Sequence, residues 1–69
     1  MFSEGKIVIL SDHIKYIVVK AIYGENVNYY YVYKLVEDEK VFKILKEENG
    51  KFSIVDDPSI KAQFIEIMN

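Results

Sequence analysis

Apolar residues concentrate at positions 6–10, 14–23, 27–36, 41–47 and 51–55, and the polar groups Ser11-Asp12-His13, Gly24-Glu25-Asn26, Glu37-Asp38-Glu39 and Asn49-Gly50 interrupt them. Runs of this length bounded by turn residues predict five β-strands. The gaps are too short for the helical crossover that parallel pairing requires, so neighbouring strands are expected to run antiparallel. Asn49-Gly50 fixes one register unaided, because a two-residue type I′ turn needs positive φ at both central positions and this dipeptide tolerates it best. Counting outward pairs Glu48 with Lys51, Leu45 with Ile54 and Lys43 with Asp56, two opposite-charge matches and one aliphatic match. A slip of one residue would lose them.

The period changes after Asp56-Asp57-Pro58. Asp57 can cap free helix amides, and proline at the first helical position lacks an N–H that would be unpaired there in any case. Over residues 58–68, Ile60, Phe64, Ile67 and Met68 fall on one arc at helical spacing, Ile65 lies at its edge, and Gln63 and Glu66 point away. Lys61 interrupts the arc and can snorkel. A helix of about eleven residues is marginal alone in water and must dock on the sheet. The predicted architecture is a β-rich α+β fold, a single domain over residues 1–69. It is a five-stranded antiparallel meander able to curl toward an SH3-like half-barrel, with one C-terminal helix on a face or across an open end.

Four tyrosines crowd the third strand in Tyr29-Tyr30-Tyr31-Val32-Tyr33. Alternation puts Tyr29, Tyr31 and Tyr33 with Val27 and Leu35, and puts Tyr30 with Asn28, Val32, Lys34 and Val36 on the other side. One reading buries both sides, one under the helix and one by barrel curvature or a second subunit. The other reading exposes Tyr30, with Lys34 on its own strand and Lys20 on the neighbouring one, as a partner-binding surface. Such a surface would take protein or, alternatively, stack the bases of a single-stranded nucleic acid.

Charge weighs between those partners. The net charge is −2 and all nine basic residues are lysine. There is no global field to attract phosphate, and the bidentate arginine fork is missing. Nucleic acid is therefore disfavoured, and a protein partner or self-association is expected. No apolar stretch is long enough for a signal-peptide core or a membrane span, so the expectation is a cytoplasmic protein with no membrane partner.

Catalytic and metal chemistry find few materials. A chain of 69 residues buries only about 60% of the surface its unfolded form exposes. With no cysteine and one histidine it has neither a disulfide nor a structural zinc set. Ser11-Asp12-His13 contains the residue types of a hydrolytic triad, but consecutive turn residues cannot place serine and aspartate on opposite imidazole nitrogens. Glu37-Asp38-Glu39, Glu47-Glu48 and Asp56-Asp57 lack the glycine-centred spacing of a calcium loop and the cleft that acid–base work needs. The expectation is a non-enzymatic module with no catalytic residue, cofactor or metal. It binds protein through a tyrosine-rich sheet face or an edge strand.

The segments KIVIL, HIKYIVVKAIYG, NYYYVYKLV and VFKILKEENGKFSIVDDP, followed by a short helix, resemble small β-rich proteins of unknown function from low-GC Gram-positive bacteria and their mobile elements. The bias toward Lys, Ile, Asn and Tyr without Arg or Trp is what AT-rich codons produce. The resemblance implies a habitat and carries over no functional residue.

Overall fold

The computed structural model describes residues 2–68; Met1 and Asn69, the two ends of the expected domain, lie outside the described residues. It contains β1 (Ile7–Ile9), β2 (Lys15–Tyr23), β3 (Val27–Val36), β4 (Glu39–Glu48), β5 (Lys51–Val55) and the helix α1 (Pro58–Met68). Each strand pairs antiparallel with the next, in the order β1-β2-β3-β4-β5. The sheet curls into a half-barrel, with the C-terminal helix on its outer face. Asn49 and Gly50 both take positive φ, at 54° and 75°, and the hairpin they close pairs Glu48 with Lys51 and Leu45 with Ile54 as the turn chemistry requires.

Strand ends depart from the apolar runs where turns claim the backbone. The first strand contracts from 6–10 to three residues because Lys6 donates its N–H to the Ser3 carbonyl and the Leu10 carbonyl accepts from His13. β4 instead begins at Glu39, two residues earlier than expected, because the β3–β4 connection is a turn of only Glu37 and Asp38 with φ of 52° and 67°. Neither residue is the asparagine or glycine that this left-handed geometry favours. Replacing Asp38 by glycine is expected to relieve about 1 kcal/mol of backbone strain and to raise the thermal midpoint by roughly 4–8 °C. A circular-dichroism melt checks this, and an unchanged or lower midpoint would mean that the Asp38 side chain holds the turn. Gly24 has a different constraint, since a Cβ there would sit 2.6 Å from the Val27 carbonyl oxygen that its own N–H binds.

Burial follows both faces of the sheet. The inner face collects Val8, Tyr16, Val18, Tyr30, Val32 and Leu45, closed at its margins by Phe2, Leu10, Ile14 and Ala21. The outer face meets α1, where Ile44, Ile60 and Phe64 pack with Ile22, Tyr29, Tyr31 and Val55. Asp57 starts that helix as its chemistry suggests, its carboxylate accepting from the Ser59 N–H at 2.9 Å. The expected apolar arc is used only in part. Ile60 and Phe64 are buried, whereas Ile65, Ile67 and Met68 are exposed because the last turn does not bear on the sheet.

One irregularity decides which side chains share a face. Val18 pairs with Val32, but Lys20 pairs with Tyr31, so the intervening Val19 is an extra residue, a β-bulge. In an unbroken strand Lys20 would stand opposite Tyr30. The bulge moves it to the outer face, opposite Tyr31.

Candidate interaction surface

Tyr30 is a core residue. Its relative exposure is 0%, and its hydroxyl donates to Glu47 Oε1 at 2.6 Å while accepting the Phe2 N–H at 3.1 Å. Asn28 Nδ2 donates to the same carboxylate oxygen at 3.0 Å. The ring meets Phe2 at 5.2 Å between centroids and Tyr23 edge-on at 6.3 Å, and Phe2 in turn stacks on Phe52. Burial, reinforced by the hydrogen bond to Glu47, pushes the Tyr30 hydroxyl up to about 12. Hydrogen bonds from Asn28 and Tyr30 hold the Glu47 carboxyl below its ordinary range.

The expected cluster of Tyr30, Lys34 and Lys20 therefore does not assemble. Tyr30 offers no ring face to a partner, because the curl of the sheet and Phe2 enclose it. Lys34 lies on the same strand side, whereas Lys20, displaced by the bulge, points outward with its Nζ 3.7 Å from Glu4 Oε1.

Ser11-Asp12-His13 forms a turn. The Asp12 carboxylate accepts the Ile14 N–H and the Tyr16 hydroxyl, each at 3.0 Å, and the backbone bond to Ile14 is the main reason its carboxyl lies below the usual range. His13 is exposed, with φ of 63°. Among the described residues no three His, Asp or Glu side chains come together in a group that could hold a metal ion.

The surface that stands open is the other half of the outer face. Register across four strands aligns Ile7, Ile17, Tyr33 and Phe42 in one transverse row. Beyond it, Ile9 pairs with Lys15 and Leu35 with Lys40. Exposures of 59% at Ile7, 61% at Ile9, 60% at Leu35 and 45% at Phe42 mark this half as uncovered. It is continuous with the helix-covered half through stacked rings. Tyr33 lies 5.7 Å from Phe42, Phe42 stacks on Tyr31 at 5.1 Å, and Tyr31 meets Phe64 at 5.6 Å. Lys40 Nζ sits 4.8 Å above the Tyr33 ring, a cation–π contact.

A groove of about 500 Å³ runs between the Phe42 end of this row and the flank of α1. Phe42, Tyr31 and Ile44 form one side, Phe64, Ile65 and Met68 the other, and Asp56 and Lys61, paired at 2.6 Å, also line it. The sequence pattern puts Tyr33 and Leu35 on one side with Tyr29 and Tyr31 and leaves open how much of that side the helix covers. Eleven residues give a rod of about 16 Å, against about 33 Å for a ten-residue strand. That comparison of lengths was the available signal for an uncovered region.

Comparison with known protein families, with curated proteins and with solved structures finds no match to this chain. Among the described residues no helix is long and apolar enough to cross a membrane.

Proposed function

We propose that this chain is a non-enzymatic small interaction module that binds protein through the open half of its tyrosine-bearing sheet face. The observation carrying the reading is the row Ile7–Ile17–Tyr33–Phe42, apolar across four strands, with Ile7 and Phe42 exposed at its ends and Ile17 and Tyr33 half-buried between them. Contiguous apolar surface of this kind on a small protein is a common mark of a docking face. Aromatic residues at its centre supply large contact area with little rotamer entropy to lose. The other route, strand addition at the edge strand β5, would draw on backbone pairing alone and leave this aromatic row unused.

Nucleic-acid binding is the rival reading. It loses its stacking ring at Tyr30 and has no arginine, and the net charge is −2. The proposed setting is the cytoplasm, in the bacterial or mobile-element habitat that the resemblance implies.

Affinity capture from the native host with tagged wild type and with Phe42→Asp tests the reading. One specific protein retained by wild type and lost from the variant is the expected result. Identical captures would remove this surface from the proposal. Salt-sensitive binding of a labelled oligonucleotide that Phe42→Asp abolishes would put the rival in its place.

A further inference from the structure

The open half of the outer face contains eight side chains. Six are apolar or aromatic, Ile7, Ile9, Ile17, Tyr33, Leu35 and Phe42, and two are lysines, Lys15 and Lys40. No carboxylate stands among them; Glu39, next to Lys40, alternates to the inner face opposite Val36, and Glu37 and Asp38 sit at the tip of the β3–β4 turn beyond Leu35. Neither lysine takes part in an ion pair among the described residues. Lys40 rests on the Tyr33 ring.

We propose that the occupant of this face is an amphipathic helix of a partner protein, lying beside α1, with carboxylates flanking its apolar stripe. This deepens the protein-docking reading above and rests on it. Three observations choose the occupant.

The first is shape. A helix is about 10 Å across with its side chains, and α1 leaves open a strip that spans four strands at roughly 4.8 Å spacing. The groove between Phe42 and the α1 residues Ile65 and Met68 is the kind of seam that forms when a second helix packs beside a first on a sheet. The exposed Ile65 and Met68 of α1 would then become the wall of that seam, which accounts for two apolar side chains that the fold leaves in water.

The second is charge. Lys15 and Lys40 lie toward one margin of the apolar row, and a carboxylate on the incoming helix would meet each of them. Opposite charges at the edge of an apolar contact set orientation and speed encounter.

The third disfavours the simplest alternative, a second copy of this chain. Two such faces placed together would bring four lysines to the margins of one contact with no carboxylate among the eight side chains of either face to receive them. Like charges facing one another across an interface are unfavourable.

The experiment selects binders from a display library holding helix-forming and unstructured peptides, on immobilised wild type with counter-selection on Phe42→Asp. The expected consensus is helical, with apolar residues at positions i, i+3, i+4 and i+7 flanked by Asp or Glu. A synthetic peptide of that consensus should bind Lys15→Glu/Lys40→Glu at least tenfold more weakly, and its affinity for wild type should fall as salt is raised. Both lysines are exposed, so the charge-reversed protein should melt close to wild type and keeps the test meaningful if Phe42→Asp is unstable.

Binders that depend on Phe42 but carry a basic or an extended, strand-like consensus would overturn this inference and leave the docking reading standing. Absence of any Phe42-dependent peptide would overturn both. So would Phe42-dependent binding of a single-stranded oligonucleotide or of vesicles containing anionic lipid in place of peptide. Concentration-dependent dimerisation of wild type that Phe42→Asp abolishes would assign the face to a second copy instead.

Discussion

Removing the chain from Pro58 onward is expected to abolish cooperative unfolding. The deletion strips Ile60 and Phe64 from the outer core and exposes Tyr29, Tyr31 and Ile44 beneath them. Truncating one buried phenylalanine to alanine typically costs about 3–5 kcal/mol. A single core in a chain of this size supplies little more than that in total. The deleted protein should lose its sigmoidal melt, bind a hydrophobic dye and aggregate. If the melt stays sigmoidal with a small shift in midpoint, α1 is a detachable arm, and the groove along its flank is not a fixed part of the surface.

Tyr30→Ala is expected to unfold the protein nearly as thoroughly, by damage to the other face. The substitution empties a fully buried aromatic site and removes the donor that Glu47 holds at 2.6 Å and the acceptor of the Phe2 N–H. The cavity alone should cost about 3–5 kcal/mol, and the stranded polar groups add to it. Tyr30→Phe keeps the ring and isolates the hydroxyl. It should cost about 1–3 kcal/mol near neutral pH, less than the loss of the ring, measured by urea denaturation.

The two proteins should also respond differently to alkali. The Tyr30 hydroxyl is lifted from the ordinary tyrosine value of 10.0 to about 12, so in that interval the unfolded chain releases a proton that the folded chain keeps. Stability supplied by Tyr30 is complete below pH 10 and declines as pH rises toward 12, by an amount on the order of 2–3 kcal/mol. Tyr30→Phe should show a shallower alkaline decline than wild type. Parallel alkaline profiles would place the main source of alkaline lability elsewhere.

These effects explain which parts of the molecule could be read from the sequence. The Asn49-Gly50 hairpin, its Leu45–Ile54 and Glu48–Lys51 pairs, the antiparallel order and the Asp57-Pro58 helix start were legible because each depends on residues close together in the chain. The burial of Tyr30 was legible only as one of two alternatives. Its environment depends on how far the sheet curls and on where Phe2 lies, and neither leaves a local trace. Unbroken alternation places Lys20 beside Tyr30, and one additional residue at Val19 reverses that. A bulge in an otherwise regular apolar run has no reliable signature in residue type. The open half of the outer face was half legible, since its apolar positions were visible but their exposure required comparing helix length with strand length.

Strand β3 places Tyr29 and Tyr31 beneath the helix while Tyr30 and Val32 fill the inner curl. Most sheets in small proteins keep one side free to vary, but this stretch alternates between two interiors and has no such side. Volume changes at any of its positions disturb close packing on one side or the other. Substitutions should be tolerated better in the turns and at the far end of the outer face, where side chains are exposed. A distant descendant of this chain would preserve the alternation of two interiors along residues 29–32 while changing much of the surface used for recognition.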